Sequence, residues 1–349
     1  MGLKLDLEYY PELSEKAIQE SVNKIKNNKD KWSPPFFFDT KSYLDLEKIE
    51  EITNQFLTEN LKNIIILGTG GSIQTLLALK HLSKKKIFPV TSSRAVELKG
   101  CLDKTSPEDS LVIPISRGGE TLDVNSTIGT FLDRGYKFLG LSSMGTMNEI
   151  LKSNNSPILD VPDLSGRYAG SVTNVGIVPA YISGINIREF LSGLEEGYKL
   201  FSRYENNPAL EFLLGGTKGI VVPILWTIKK ENLDLTLNSS IDLVNGKSAH
   251  TIINYQADAT FQALIQQGVP SVKISLKNPS ELDIGFLMAF ILSSVYYLCL
   301  LFNVNWASNP KVNIGKKICN EALKKATTSE EQQQTRKNIA KEKFKDFFD

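Results

Sequence analysis

Two short segments of the chain place glycines and hydroxyl side chains where an apolar run gives way to helix-period sequence. Gly68-Thr-Gly-Gly-Ser72 follows the β-branched run Asn63–Leu67 and precedes the apolar stretch Thr75–Leu79. Ser116-Arg-Gly-Gly-Glu-Thr121 follows the run Leu111–Ile115 in the same way. Glycine lets the backbone approach a ligand closely, and a helix start offers N–H groups that have no partner within the helix. Serine and threonine add hydroxyl donors. The chemistry such loops can perform is the binding of a phosphate monoester by a backbone nest, which needs no net positive charge on the protein. The first loop is neither a GxGxxG dinucleotide fingerprint, since Gln74 and Thr75 occupy the region of the third glycine, nor a Walker loop, which needs GK[ST]. Either loop alone could be a tight strand-to-helix turn; two in one lobe point to an anion.

The elements that must hold these loops alternate. Asn63–Leu67, Lys86–Val90, Leu111–Ile115 and Lys137–Leu141 read as buried strands, each followed by turn residues and helix-period sequence, an alternation that predicts a parallel sheet covered on both faces. A second cycle follows residue 200, with strands at Gly219–Leu225 and Val272–Leu276 and helices near 226–240, 257–267 and 282–302. The expected fold is therefore α/β, with two doubly wound parallel-sheet lobes in three αβα layers and helical extensions at both ends. The expected divisions are a helical segment over 1–60, a first lobe over 61–200, a second over 201–325 and a helical tail over 326–349. In the first segment, apolar positions at helical spacing follow a Ser14 cap, and Trp32–Phe38 reads as an extended connector. Ser329-Glu-Glu-Gln332 is a capping-box pattern opening the tail.

Composition narrows the function. The 349 residues carry 40 Lys+Arg against 39 Asp+Glu, so charge gives no reason to expect a nucleic acid or an anionic membrane as partner. Cys101, Cys299 and Cys319 have no metal-ligand spacing, and His81 and His250 are the two histidines; no metal site, no disulfide framework and a cytoplasmic location are expected. The amino-terminal stretch lacks an apolar signal core, and Asp6 stands where a myristoylation motif needs Ser or Thr. Ile284–Phe302 approaches membrane-spanning length, but its serines, tyrosines and glycine and the lack of flanking basic clusters favour a helix buried in a core or an interface.

Four segments, in order along residues 63–320, resemble the glucose-6-phosphate isomerase family, which is built on phosphosugar-binding sugar isomerase domains. The loop at 68–72 resembles the family's glycine-serine loop, and 116–121 its Ser-x-Ser/Thr-Gly-x-Thr phosphate cradle. Gly166-Arg-Tyr168 with Val175–Ala180 is similar to the GGRYS…VGLLPA stretch, and Asn303–Lys316 to the late segment ending in Gly-Lys. The resemblance implies that Gly71, Ser72, Ser116, Arg117, Gly118 and Thr121 hold a sugar phosphate. It further implies that Arg167 stabilises an enediolate near the sugar C1–C2 bond and that Lys316 helps open and position the ring. It implies a homodimer, a sugar phosphate as the small-molecule partner and no cofactor.

The chain departs from the family at named positions. Gly118 replaces a hydroxyl residue, and the spacing from Arg167 to Gly176 is one residue longer. Leu243 stands where the family keeps its proton-transferring Glu, with Asp242 one residue earlier as a displaced base, and Ala259 stands at the position of the ring-opening His. His250 is the nearest histidine. Two main readings follow: interconversion of glucose 6-phosphate and fructose 6-phosphate, as in glycolysis and gluconeogenesis, with a displaced base, or a catalytically degenerate sugar-phosphate-binding regulator. A related phosphosugar substrate and a non-enzymatic interaction protein remain open beside them.

Overall fold

The computed structural model describes residues 5–12, 14–162, 164, 166–216, 249–276 and 280–307, together with 314, 315, 318 and 321. Residues 1–303 form one compact unit and 304–349 a second, smaller one. The expected strand at Gly219–Leu225, the helix near 226–240 and the helical tail lie outside the described residues.

The amino-terminal segment is less uniformly helical than its periodicity predicts. Strand β1 (Leu5–Tyr10) precedes α1 (Glu15–Asn28), which is capped by Ser14 through the Ala17 N–H at 3.4 Å. Helix α2 (Leu46–Thr53) is capped by Asp45. Within the connector, Phe36–Phe38 makes one tight helical turn, and Phe37 is fully buried.

Residues 63–159 then run as strand and helix in turn. Strand β2 (Asn63–Leu67) leads to α3 (Gly71–Leu79), β3 (Lys86–Val90) to α4 (Ala95–Leu102), and β4 (Ser110–Pro114) to α5 (Leu122–Leu132). The expected strand at 137–141 is broken at Leu139 into β5 (Lys137–Phe138) and β6 (Gly140–Leu141), and α6 (Thr146–Ser153) and β7 (Ile158–Leu159) follow. All pairings here are parallel, in the order β3-β2-β4-β5, with β7 beside β6 and a bridge from Ile115 to Leu141 linking the two parts. Every residue of β2 and β4 is buried, as expected of strands covered on both faces. Ile65, Leu67 and Val112 pack with Val124, Ile128 and Phe131 of α5 in one core; alternation along the strand turns Ile64 and Ile66 to the opposite face.

Beyond this sheet come α7 (Gly166–Ala169), α8 (Asn174–Ile182), α9 (Ile187–Phe201), α10 (Pro208–Gly216), α11 (Ala249–Gln266), β8 (Ser271–Leu276) and α12 (Glu281–Leu301). Strand β8 lies where the second cycle places one, and among the described residues its partner is β1, antiparallel, with Leu5 opposite Leu276 and Tyr10 opposite Ser271. That pairing was not expected, because LDLEYY alternates for only six residues and its partner is more than 260 residues away. Lys273 of β8 bonds Asp258 of α11 at 2.9 Å and pairs with Glu8 of β1, which ties three distant segments together.

Helix α12 carries the long apolar run. It is the one helix among the described residues long and apolar enough to cross a membrane by length and composition. It lies along α9 at close backbone range: a Cβ on Gly193 would stand 1.9 Å from the Leu282 carbonyl oxygen, and one on Gly285 2.2 Å from that of Phe190. Phe286, Phe290 and Tyr297 are buried, while Ile291, Val295 and Leu298 leave a half-exposed stripe. The helix is thus a core element on the α9 side.

Candidate functional site

In an open parallel sheet, ligands bind beyond the carboxyl ends of the strands where the strand order reverses. Here the chain steps from β2 outward to β3, then returns to the other side of β2 for β4. The reversal therefore lies between β2 and β4, and both glycine-hydroxyl loops leave those two strands at that end. The Ile115 N–H donates to the Leu67 carbonyl at 2.8 Å, so the loops diverge from a hydrogen-bonded pair. Gly68 rests beside Ile115, its Cβ position 3.6 Å from the Ile115 Cβ.

Gly71 and Ser72 form the first turn of α3 and are half-buried. Gly70 caps that helix with φ 59°, a left-handed value suited to glycine, and contributes no side-chain cap. No side chain caps α3; its Ser72 and Ile73 N–H groups donate at 3.4 Å to the Thr69 and Gly70 carbonyls.

The second loop is more tightly built. The buried Ser116 hydroxyl meets the Thr121 hydroxyl at 2.9 Å and accepts the Thr121 N–H at 3.3 Å, while its carbonyl accepts the Gly119 N–H at 3.0 Å. Thr121 is the N-cap of α5, with its side chain turned to Ser116 and making no cap bond. Arg117 is half-buried and Gly118 exposed. The outer side of the loop is held by the segment after β6: the Ser143 hydroxyl donates to the Arg117 carbonyl at 2.8 Å, and the Met147 N–H to the Gly119 carbonyl at 3.0 Å. Asn125 of α5 donates to that same Gly119 carbonyl at 2.9 Å.

A third loop, after β3, closes toward the same end. The Ser93 N–H and hydroxyl both donate to Asp123 in the first turn of α5 at 3.1 Å. Burial alone would raise the Glu97 carboxyl, but hydrogen bonds from Ser92 and Thr91 together hold it below its ordinary value. These supports escaped the sequence reading. Their signal, small hydroxyl residues after strands with a carboxylate a few residues on, is too common to single out alone.

The turn that carries Arg167 is placed beside the first loop. A Cβ on Gly170 would lie 2.6 Å from Thr75 Oγ1 and 3.5 Å from the Gly71 carbonyl oxygen, so α7 and its exit lie over the first two turns of α3. Tyr168, fully buried, stacks on Phe37 with ring centroids 4.5 Å apart and planes 9° from parallel. The aromatic connector near the amino terminus thus anchors the residue next to Arg167. The Arg167 side chain itself lies outside what is described.

The structure brings together Gly71, Ser72, Ser116, Arg117, Gly118 and Thr121 at one end of the sheet, with the Arg167 backbone adjacent. Asp242, Leu243 and Lys316 lie outside the described residues, as does the His250 side chain. Ala259 is an exposed position on α11. Among the described residues no cluster of His, Cys, Asp and Glu is arranged to hold a metal ion.

No protein-family model matches the chain. Individual curated proteins do. A glucose-6-phosphate isomerase of Methanocaldococcus jannaschii is 24% identical, over 75% of this chain and 84% of that protein. One from Mycoplasmopsis pulmonis is 22% identical over 92% of each. Among solved structures, a hypothetical protein from Thermus thermophilus superposes with a TM-score of 0.70 at 15% identity, covering 91% of this chain and all of that one. A glucose-6-phosphate isomerase from Chlamydia trachomatis superposes with a TM-score of 0.65 at 14% identity, over 92% of this chain and 89% of its own. In sequence and in fold alike, this chain is similar to the glucose-6-phosphate isomerases.

Proposed function

We propose that the chain is a sugar-phosphate isomerase that interconverts glucose 6-phosphate and fructose 6-phosphate. One observation carries the reading: two hydroxyl-bearing loops leave neighbouring parallel strands at the point where the strand order reverses, with the Arg167 turn packed on the first of them. The phosphate would lie between the α3 and α5 starts, taking donors from Ser72, Ser116, Thr121 and the backbone around Gly71 and Gly118, with Arg117 at the rim. The Ser116 and Thr121 hydroxyls, which bond each other here, would both turn to its oxygens.

With the phosphate fixed, the sugar C1–C2 bond extends toward α7. A carboxylate removes the C2 proton of the open-chain aldose, and the C–H electron pair forms the C1–C2 double bond as the C1–O1 π pair moves onto O1 to give a cis-enediolate. After a proton passes from O2 to O1, C2–O2 becomes the carbonyl while the double-bond pair takes the same proton back at C1. Arg167 stabilises the enediolate charge, Lys316 positions the ring oxygen, and Asp242 acts as the displaced base. The names of the relatives and the order of the four resembling segments support this reading. The proposal includes a homodimer, a cytoplasmic location and a division into lobes near residue 200.

The alternative is a regulator that binds the sugar phosphate without turning it over. Leu243 and Ala259 at the family's Glu and His positions favour it, since neither side chain can carry a proton. Incubation with glucose 6-phosphate in deuterated water, following exchange at C2, separates the two. Exchange that disappears in Asp242→Asn supports the displaced base. Tight binding of a sugar-phosphate analogue with no exchange sinks the isomerase reading, and absence of any sugar-phosphate binding in a thermal-shift screen sinks both.

A further inference from the structure

Helix α6 starts without a cap of its own: Gly145, its N-cap residue, has φ 85° and no side chain. The cap comes instead from the phosphate-loop candidate. Glu120 Oε1 accepts the Thr146 N–H at 2.9 Å and its hydroxyl at 3.0 Å, and Oε2 lies 3.2 Å from the same hydroxyl. A Cβ at position 145 would fall 2.7 Å from Glu120 Oε1 and 2.4 Å from the Gly118 carbonyl oxygen, so a glycine there is what lets the two loops close. Three helix starts, those of α3, α5 and α6, gather at this end of the sheet, and each attracts an anion. Glu120 fills the third with an anion from within the chain.

We infer that Glu120 is the positioning residue of the phosphate cradle: its carboxylate clasps the start of α6 and so fixes the curvature of residues 116–121, leaving the α3 and α5 starts for the ligand. The inference rests on reading those residues as a phosphate cradle. The loop needs such a restraint because Gly118 and Gly119 lie side by side, and glycines lose more conformational freedom on ordering than other residues. Glu120 sits between Gly119 and Thr121, so the clasp acts at the centre of the cradle. The same carboxylate is exposed and repels an incoming phosphate through water, which separates its charge from its geometry.

Two substitutions exploit that separation. Glu120→Gln keeps the acceptor oxygen and removes the charge; Glu120→Ala removes both. By titration calorimetry with glucose 6-phosphate, the Ala variant should bind about tenfold more weakly, the loss of a helix cap transmitted to the cradle. The Gln variant should bind as the parent does or up to about twofold more tightly at low salt, a gain that fades at high salt. Thr146→Val, which keeps the N–H and removes the hydroxyl, should fall between the parent and Glu120→Ala. Hydrogen exchange of the 116–121 amides should quicken in Glu120→Ala and stay unchanged in Glu120→Gln and in Glu149→Gln, an exposed control on α6. A parent that binds glucose 6-phosphate, with a Glu120→Ala variant of equal affinity and unchanged exchange, overturns the Glu120 assignment alone. A parent that binds no glucose 6-phosphate removes the cradle reading, and the positioning role falls with it.

Discussion

Gly118 and Gly119 are neighbours in one loop, and the same substitution should act on them in opposite directions. Gly118 is exposed, its φ lies outside the left-handed region, and a Cβ built there meets nothing within 4 Å. A serine at 118 therefore fits the existing backbone and restores the hydroxyl that the family's cradle has. A hydrogen bond to a charged group contributes about 1.5–3 kcal/mol, and holding one serine rotamer offsets part of that. The net gain for a phosphate ligand is about 1 kcal/mol, or roughly fivefold in affinity. At Gly119 a serine meets two obstacles: φ is +67°, and its Cβ would stand 1.9 Å from the Met144 carbonyl oxygen. The left-handed backbone alone costs about 1–2 kcal/mol, and relieving the clash must push apart the two loops that Ser143 and Met147 hold together. Calorimetric titration with glucose 6-phosphate at one pH and ionic strength, beside thermal denaturation of each variant, reads both effects. Gly118→Ser should bind more tightly with an unchanged or slightly raised Tm, and Gly119→Ser should lose both affinity and Tm. A Gly118→Ser variant of native Tm whose affinity is unchanged or weaker would refute the placement of the phosphate in this loop.

Three further expectations test the supports. Gly176→Ala sets a Cβ 2.1 Å from the Gly170 carbonyl oxygen and should lower stability by about 2–4 kcal/mol, by the overpacking that destabilises tight cores; Gly100→Ala, with open space around it, is the control in the same melts. Ser116→Ala leaves the Thr121 N–H without its 3.3 Å acceptor and should cost about 1–2 kcal/mol in denaturant unfolding and weaken glucose 6-phosphate binding by roughly tenfold. Burial pushes the Cys101 thiol up to about 11; its thiolate is therefore suppressed below that pH in the folded chain, and mass-spectrometric mapping at pH 8 should find Cys101 unmodified by iodoacetamide until the protein is unfolded.

The parallel sheet over residues 63–159 was legible because its signals are local. A short strand-like run, a turn rich in small or hydroxyl residues and a helix repeat four times, and each strand so read is present, the last with a break at Leu139. The β1–β8 ribbon was not legible, because what stabilises Leu5–Tyr10 as a strand is a partner at residues 271–276 rather than anything in its own six residues. The cradle shows the same division. Its hydroxyls and glycines stand in one short motif, whereas its supports, Ser143, Thr146, Asn125 and Ser93, come from segments joined only by the fold. Phe37 is the sharpest case: Pro-Pro-Phe-Phe-Phe reads as an extended connector, yet the middle ring stacks on Tyr168 and braces the residue beside Arg167.

In the proposed isomerase, phosphate binding and proton transfer draw on different parts of the chain, and that separation permits a decisive substitution. The candidate cradle residues follow two neighbouring strands of one parallel sheet, while the resemblance puts the family's proton-transferring carboxylate at Leu243, far along the sequence. If Asp242 is the working base, Leu243→Glu adds a second carboxylate beside it; adjacent carboxylates raise one another's pKa, and exchange at C2 should stay level or fall. If the chain only binds, the same substitution supplies the missing group at the family's own position, and exchange should rise from zero while affinity for glucose 6-phosphate is kept. Proton transfer by a positioned side chain contributes about 10²–10⁴-fold, so a gain of that kind is well within reach of an isotope-exchange assay. Exchange present in the parent, abolished in Asp242→Asn and recovered in Asp242→Asn combined with Leu243→Glu would show two neighbouring positions able to serve one site. Exchange in the parent that survives Asp242→Asn would instead remove Asp242 and leave the base to be sought among the other carboxylates.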